Sequence, residues 1–148
     1  MRFNFTTIYG LHTIGDRRGL WHELRLIQKD QAGPWLAMRD FNTVLNIEDR
    51  INGNQIHESE VKDFKNFMND YHMAELRSIG AKYTWSNNSV SIKIDRGVSN
   101  TEWMLKYPHF DIIIMAPCFS DHSPLAIRLE DHQKKTYRPF RFFNVIAE

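Results

Sequence analysis

The chain has 148 residues, with 19 Lys and Arg against 18 Asp and Glu, a formal net charge of +1 and one cysteine. A chain of this length can bury roughly two-thirds of the surface that its unfolded form exposes, so it can form one domain with a core. The single Cys118 excludes an internal disulfide and a cysteine-based zinc module, and the near-zero charge excludes a uniformly basic nucleic-acid-binding protein.

The first half of the chain predicts strands that alternate with helices. Residues 3–9 alternate between apolar and polar side chains, which is typical of a strand, and residues 18–29 place apolar side chains at helical spacing. Residues 35–38 are a short, continuous apolar run, typical of a strand covered on both faces. A second amphipathic helix is predicted at 61–71, after an Asn- and Gly-rich loop at 46–55.

Strand signals are denser in the second half. Residues 83–86 and 91–95 flank an Asn-Asn-Ser turn, which indicates a hairpin. Asn100 can cap a short helix, and residues 110–115 and 124–129 predict two more strands. The order of elements predicts an α/β (α+β) fold with a mixed, mainly antiparallel sheet and flanking helices.

No segment indicates a membrane span or a secretion signal. The longest apolar run, near 112–116, is far shorter than the ~20 residues that cross a bilayer. The N-terminal residues have neither an apolar core region nor a small-residue cleavage site. We therefore expect an intracellular protein, in the nucleus or cytoplasm, that is not secreted and does not bind membranes.

Polar side chains gather where predicted strands end. Asp40 and Asn42 follow the second strand, Asp95 closes the hairpin, and Asp121 and His122 precede the last strand. Carboxylates hold hard cations and activate water, an amide donates to phosphate oxygens, and an imidazole stabilises developing charge, so this set suits metal-assisted phosphodiester hydrolysis. Each motif taken alone would be an ordinary turn or loop pair in most proteins, because Asp and Asn bond to their own backbone.

The order of the motifs along the chain resembles a known family. The motifs are Tyr9-Gly10, the run from Arg17 to Trp21, Pro34-Trp35-Leu36, Asp40-Phe41-Asn42, Glu48-Asp49-Arg50, the run from Tyr83 to Asn87, Ile94-Asp95-Arg96, Asn100 with Trp103, and the run from Ser120 to Pro124. They are similar to those of the endonuclease/exonuclease/phosphatase superfamily, and within it of the apurinic-type endonuclease domain of plant LINE (non-LTR) retrotransposons.

The resemblance implies a fold and a domain organisation. The family fold is a two-sheet α/β sandwich with helices outside, of which residues 1–131 resemble the C-terminal portion. Residues 132–148 resemble the basic and aromatic tail that follows this domain in the retroelement polyprotein.

The resemblance also implies roles for individual residues. Asp40 matches the aspartate that orients or deprotonates the attacking water, and Asn42 matches the amide that holds the water and the scissile phosphate. Asp95 matches the partner that orients the catalytic histidine, His122. Tyr9 matches the tyrosine that approaches the phosphate.

Two further positions and the cofactor follow from the same resemblance. Asp121 is expected to contribute to the metal region, and His12 stands where the family has a phosphate-binding asparagine. The family uses Mg²⁺ or Mn²⁺ and cuts DNA, and in retroelements it nicks the target to prime reverse transcription.

The sequence also departs from the family pattern. Arg39 replaces the glycine that precedes Asp-Phe-Asn, and His12 replaces an asparagine. The metal-binding glutamate, which the family places before Tyr9, has no counterpart. We therefore expect an incomplete Mg²⁺ site, and an exposed inner sheet face that would bind an N-terminal half or a second copy of the chain.

Three functions follow as alternatives. The first is a truncated, retrotransposon-derived domain that is inactive as an isolated chain, and the second is an active Mg²⁺-dependent DNA endonuclease. The third is a non-catalytic nucleic-acid or protein interaction module, because basic side chains bind phosphates and aromatic ones stack on bases. Its candidate residues are Lys134, Lys135, Tyr137, Arg138, Phe140 and Arg141.

Overall fold

The computed structural model describes residues 1–129, in which helices and short strands alternate. The helices are α1 Ile14–Asp30, α2 Glu58–Asp70 and α3 Thr101–Lys106. The strands are β1 Asn4–Tyr9, β2 Trp35–Asp40, β3 Arg50–Ile51, β4 Ala74–Glu75, β5 Ser78–Gly80, β6 Trp85–Ser86, β7 Ser91–Ile92, β8 Asp95–Ser99, β9 Ile112–Ile114 and β10 Leu125–Ile127. The predicted tail at 132–148 and the interaction module assigned to it lie outside the described residues.

The described strands form three sheets. The largest has the order β1-β2-β8-β4, with β1 parallel to β2 and the other pairs antiparallel. The second has the order β10-β9-β5 and the third β3-β7-β6. The α+β class predicted from the sequence is confirmed. Within residues 1–129, no helix combines the length and apolar character that a membrane crossing requires.

Helix α1 makes the crossover that lets β1 and β2 run parallel. It begins four residues earlier than predicted because the side chain of Thr13 accepts a hydrogen bond from the Asp16 N–H. The helix ends before Gly33-Pro34, as its sequence indicates. Helix α2 likewise begins before the predicted start, at Glu58, and α3 has the predicted Asn100 cap.

The hairpin predicted around the Asn-Asn-Ser turn is confirmed, but its second strand is shorter than predicted. Strand β7 ends at Ile92, and Asp95 begins a separate strand, β8, whose five residues are all buried. Strand β8 was not predicted, because a charged pair followed by glycine is not typical of a central strand. Strands β3, β4 and β5 were missed as well, since two or three residues carry no periodic pattern.

Apolar clusters cover both faces of the central sheet. On one face, Trp21 of α1 and Phe64 of α2 pack with Ile8 and Trp35. On the other face, β9 crosses β8 at Gly97, where an added Cβ would lie 2.7 Å from Ile112 Cδ1. The absence of a side chain at Gly97 therefore permits the close approach of the second sheet.

The expectation of an exposed inner sheet face is wrong for the centre of the sheet. Leu36 of β2 is fully buried, because Ile112 and Ile114 of β9 pack in the same cluster. Within the central sheet, the exposed apolar side chains lie on the edge strand β1, where Phe5 is 49% and Tyr9 72% exposed.

A buried cation joins three segments of the chain. The Arg96 side chain is 1% exposed and donates to Asp49 Oδ2 at 2.8 Å, to Glu75 Oε2 at 3.1 Å and to the Lys93 carbonyl at 2.7 Å. Its guanidinium also lies 5.7 Å from the centre of the Phe64 ring. These contacts fix β8 against β4 and against the turn that precedes β3.

We expect Arg96→Met to lower the free energy of unfolding by about 3–5 kcal/mol, because it leaves the buried Asp49 without its cation and Glu75 with Lys93 as its remaining ion-pair partner. The control is Arg77→Met, which removes an exposed arginine paired with Asp111 at 2.6 Å. Because solvent screens this exposed pair, that change should lower the free energy of unfolding much less than Arg96→Met. Equal losses for the two variants in urea unfolding would contradict a stabilising role for the buried cluster.

Candidate active site

The register of the central sheet brings two carboxylates together. Asp40 at the end of β2 is the antiparallel partner of Asp95 at the start of β8. Directly paired residues place their side chains on the same face of a sheet. Asp40 is 4% and Asp95 2% exposed, so the two acids are neighbours in a site largely removed from water.

His122 completes the cluster from the loop before β10. Its Nδ1 lies 3.0 Å from Asp95 Oδ2, and its backbone N–H donates to Ser120 Oγ at 3.1 Å. Asp40, Asp95 and His122 each offer one ligand atom, and the three atoms lie within 4.8 Å of one another. With Nδ1 bound to a carboxylate, Nε2 is the ring nitrogen left for a substrate.

Thr84 connects the segment that carries Asp95 to the segment that carries His122. Its buried hydroxyl accepts hydrogen bonds from the N–H groups of Ile94 at 3.1 Å and Asp95 at 2.9 Å. Its carbonyl accepts from the Ser123 N–H at 2.6 Å, next to His122. Sequence reasoning gave Thr84 no role, although it lies within one of the recognised motifs.

Asn42 and His12 form a second polar group beside the acids. The Asn42 side-chain amide donates to the Gly10 carbonyl at 3.1 Å and lies 3.1 Å from His12 Nδ1. The Asn42 backbone N–H donates to Asp40 Oδ1 at 2.7 Å. An added Cβ on Gly10 would collide with the Phe41 carbonyl, so a glycine is needed for β1 to pass this close to the site.

Arg17 positions the loop that carries His12. Its guanidinium is buried and donates to the carbonyls of Leu11 at 2.9 Å and His12 at 2.6 Å. Burial lowers the pKa of this guanidinium from its ordinary value, and the negative charge of Glu60 opposes that shift. A charged residue in the first turn of a helix gave no sign of this role in the sequence.

The structure places Tyr9 and Asp121 near the cluster but outside it. Tyr9 ends β1 and is the register partner of Asp40. Asp121 Oδ2 accepts a hydrogen bond from the Trp85 indole at 2.7 Å, which lowers the pKa of the Asp121 carboxyl. The metal role that the resemblance gives to Asp121 stays a prediction.

Burial raises the pKa of the Asp40 carboxyl above its ordinary value, and the nearby charge of Asp95 raises it further. The hydrogen bond from the Asn42 backbone and the charges of His122 and His12 act in the opposite direction. A carboxylate with a raised pKa is a stronger base. Asp40 therefore has the chemical environment of a group that accepts a proton from water.

The donor set fits a divalent cation only in part. Mg²⁺ prefers oxygen ligands and often takes one or two carboxylates together with water and substrate oxygens. Asp40 and Asp95 supply two carboxylates, but Asp95 Oδ2 is bonded to His122 and Asp40 Oδ1 to the backbone. One oxygen of each acid is left, which predicts weak binding of Mg²⁺ or Mn²⁺.

Arg39 has a backbone conformation that favours glycine. Its φ is 119°, although Arg39 lies within β2 and is paired with Ile8 of β1 on one side and with Arg96 of β8 on the other. The resemblance expects glycine at this position, and the structure shows the backbone that a glycine would adopt without strain. The arginine side chain lines the cleft beside Asp95 and His122.

Protein-family models and curated proteins were compared with the chain, and none matches it. The family resemblance therefore stays a prediction, and the site is interpreted from its geometry.

We expect Asp40→Asn to raise the melting temperature at neutral pH. A carboxyl with a raised pKa binds its proton more tightly in the folded chain, so its contribution to stability is present at low pH and is lost as pH rises through the folded-state pKa. The amide avoids that loss, and the gain should disappear below about pH 4, the ordinary pKa of aspartate. Glu23→Gln, an exposed change on α1, is the control for loss of one charge; a gain independent of pH would contradict the prediction.

We expect Arg39→Gly to raise the free energy of unfolding by about 1 kcal/mol. Relief of a positive φ stabilises the folded chain by roughly 1–3 kcal/mol. The extra freedom of glycine in the unfolded chain lowers that gain by roughly 0.5–1 kcal/mol. Arg39→Ala removes the same side chain and keeps the strain, so it should give no gain. A stabilisation by Arg39→Ala equal to that by Arg39→Gly in urea unfolding would show that the backbone is not the cause.

Proposed function

We propose that this chain is a retrotransposon-derived portion of a metal-dependent phosphodiester hydrolase domain that acts on DNA, and that it is inactive by itself. The observation that carries the proposal is the Asp95–His122 hydrogen bond of 3.0 Å beside the buried Asp40. An imidazole fixed by one carboxylate, next to a second carboxylate of raised pKa, supplies the acid and the base that hydrolysis needs.

Each residue of the cluster has a distinct part in this chemistry. Asp40 accepts the proton of the attacking water, a role its raised pKa suits. Asp95 fixes the ring of His122, whose Nε2 donates to a phosphate oxygen as negative charge develops. Asn42 directs its two amide N–H groups at the Gly10 carbonyl and at His12 Nδ1, so its Oδ1 is left to accept a hydrogen bond from the attacking water. For the amide to donate to the phosphate, the His12 ring would have to give up its contact with Asn42.

A divalent cation, Mg²⁺ or Mn²⁺, would be held by the free oxygen of Asp95 together with water and substrate oxygens, because the free oxygen of Asp40 is the one that accepts the proton of the attacking water. When bound, the cation supplies Lewis-acid stabilisation of the phosphate charge. His122 is engaged with Asp95, so its Nδ1 is not free to serve as a ligand.

Inactivity of the isolated chain follows from the small number of carboxylates at the site. Among residues 1–129, the group that could hold a metal ion contains only two acids and one histidine. Each acid already uses one oxygen in an internal hydrogen bond. The cation would then depend on substrate and water for most of its ligands, and turnover would be slow.

An active Mg²⁺-dependent endonuclease is the second candidate. It is favoured by the Asp95–His122 pair, which is in place without any ligand. Since the proposed substrate is DNA, either function would operate inside the cell, in the nucleus or cytoplasm.

We expect purified chain incubated with supercoiled plasmid and Mg²⁺ to nick no more DNA than the same mixture with EDTA. The matched control is His122→Ala, which removes the imidazole and leaves both carboxylates, and a melting curve for each sample confirms that the proteins are folded. Nicking that requires Mg²⁺ and is abolished by His122→Ala would contradict inactivity and establish the second candidate.

A further inference from the structure

A cleft of about 350 Å³ opens beside the catalytic cluster, on the β1 side of the central sheet. Its lining is mixed: Phe5 of β1 and Leu125 of β10 are apolar, whereas Arg39, Ser120 and His122 are polar. A cleft with both apolar and polar lining residues suits a ligand that is itself amphipathic, and its volume lies within the range of small-molecule sites.

Arg39 contributes a cation that the protein does not neutralise. Within residues 1–129, no hydrogen bond or ion pair involves its guanidinium, and the residue is exposed. By contrast, the buried Arg17 and Arg96 donate to carbonyls and carboxylates of the fold. Arg39 is therefore available to an anion that enters the cleft.

Asp95, the acid that lines the cleft together with Arg39, forms no ion pair with the Arg39 guanidinium in the part of the chain that the structure describes. Asp95 is almost fully buried and already accepts a hydrogen bond from His122. Within residues 1–129, no ion pair or hydrogen bond joins the Arg39 guanidinium to Asp40 or Asp95.

The backbone of Arg39 supplies a second, independent observation. A φ of 119° is unfavourable for a residue with a side chain. Such residues persist where the surrounding structure fixes them, and they concentrate at functional sites. Here the strand pairs on both sides hold the strained residue at the mouth of the cleft.

Phe5 supplies the apolar counterpart. It is 49% exposed on the outermost described strand of the sheet, and its ring borders the same cleft. Exposed aromatic side chains beside cationic ones are the means by which proteins hold nucleic-acid strands without reading their sequence.

We propose that this cleft binds one nucleotide of the DNA strand next to the cleaved bond, with its phosphate on Arg39 and its base on Phe5. The inference rests on the proposed function, because it places this nucleotide beside the phosphate that His122 contacts. It assigns to Arg39 a substrate-positioning role where the family pattern has only a glycine.

The test measures DNA affinity separately from cleavage. A fluorescein-labelled duplex that carries a single-stranded overhang, whose unpaired bases are free to stack on Phe5, is titrated with wild-type chain by fluorescence anisotropy, with Ca²⁺ in place of Mg²⁺, over a series of salt concentrations. Arg39→Gln should weaken binding and reduce the slope of log affinity against log salt by about 0.7–0.9, the range for one phosphate contact in single-stranded and duplex DNA. Lys65→Gln, which removes an exposed charge on α2, should leave both quantities unchanged.

Phe5→Leu separates the base contact from the phosphate contact. It should weaken binding about tenfold and leave the salt slope unchanged, because stacking releases no counterions. Melting curves verify that each variant is folded.

The possible outcomes distinguish this inference from the proposed function. If Arg39→Gln binds DNA with the same affinity and salt slope as Lys65→Gln, the nucleotide site is overturned and the hydrolase proposal remains intact. The same holds if Phe5→Leu binds DNA with wild-type affinity. No DNA binding by the wild-type chain at any salt concentration would overturn both.

Discussion

The pairing of Asp40 with Asp95 across β2 and β8 is the constraint on which the site depends. Strand side chains alternate between faces, so a shift of one residue in this register would turn a carboxylate towards the helices. The register continues past the strand end, where the Phe41 N–H donates to the Ile94 carbonyl at 3.0 Å. The chemistry of the site therefore follows from a backbone pattern.

One face of β8 carries the ion cluster that stabilises the fold, and the other face carries Asp95 of the candidate site. On the helix side, Arg96 bonds to Asp49 and Glu75 and joins distant segments into one unit. On the other side, Asp95 bonds to His122, and Gly97 admits the second sheet against β8. Because these residues are neighbours in one short strand, the ion cluster that stabilises the fold also fixes the position of Asp95.

Much of the fold could be predicted from the sequence because its periodic segments are long. Both long helices, β1, β2 and the hairpin were found from apolar spacing, with errors at their ends. Strand β8 could not be found, since its Arg96 is buried only because partners from distant segments bond to it. The members of the acid–histidine cluster were foreseen as candidates, and the contact of Asp95 with His122 was expected from the resemblance alone. The pairing of Asp40 with Asp95 depends on a register that no local pattern encodes. Thr84 and Arg17 were missed for the same reason, because their partners are backbone groups brought close by the fold.

Arg39 combines two effects that oppose each other. Its backbone has a conformation in which glycine would be relaxed, so the side chain lowers the stability of the fold. The same side chain adds a positive charge to a cleft that is also lined by the buried Asp95. In the proposed hydrolase, the adjacent carboxylates Asp40 and Asp95 would repel a DNA phosphate unless cations lay nearby. Because few protein ligands are present for a metal ion, the Arg39 guanidinium would then reduce that repulsion, and its effect on binding would be largest where the metal ion is bound most weakly.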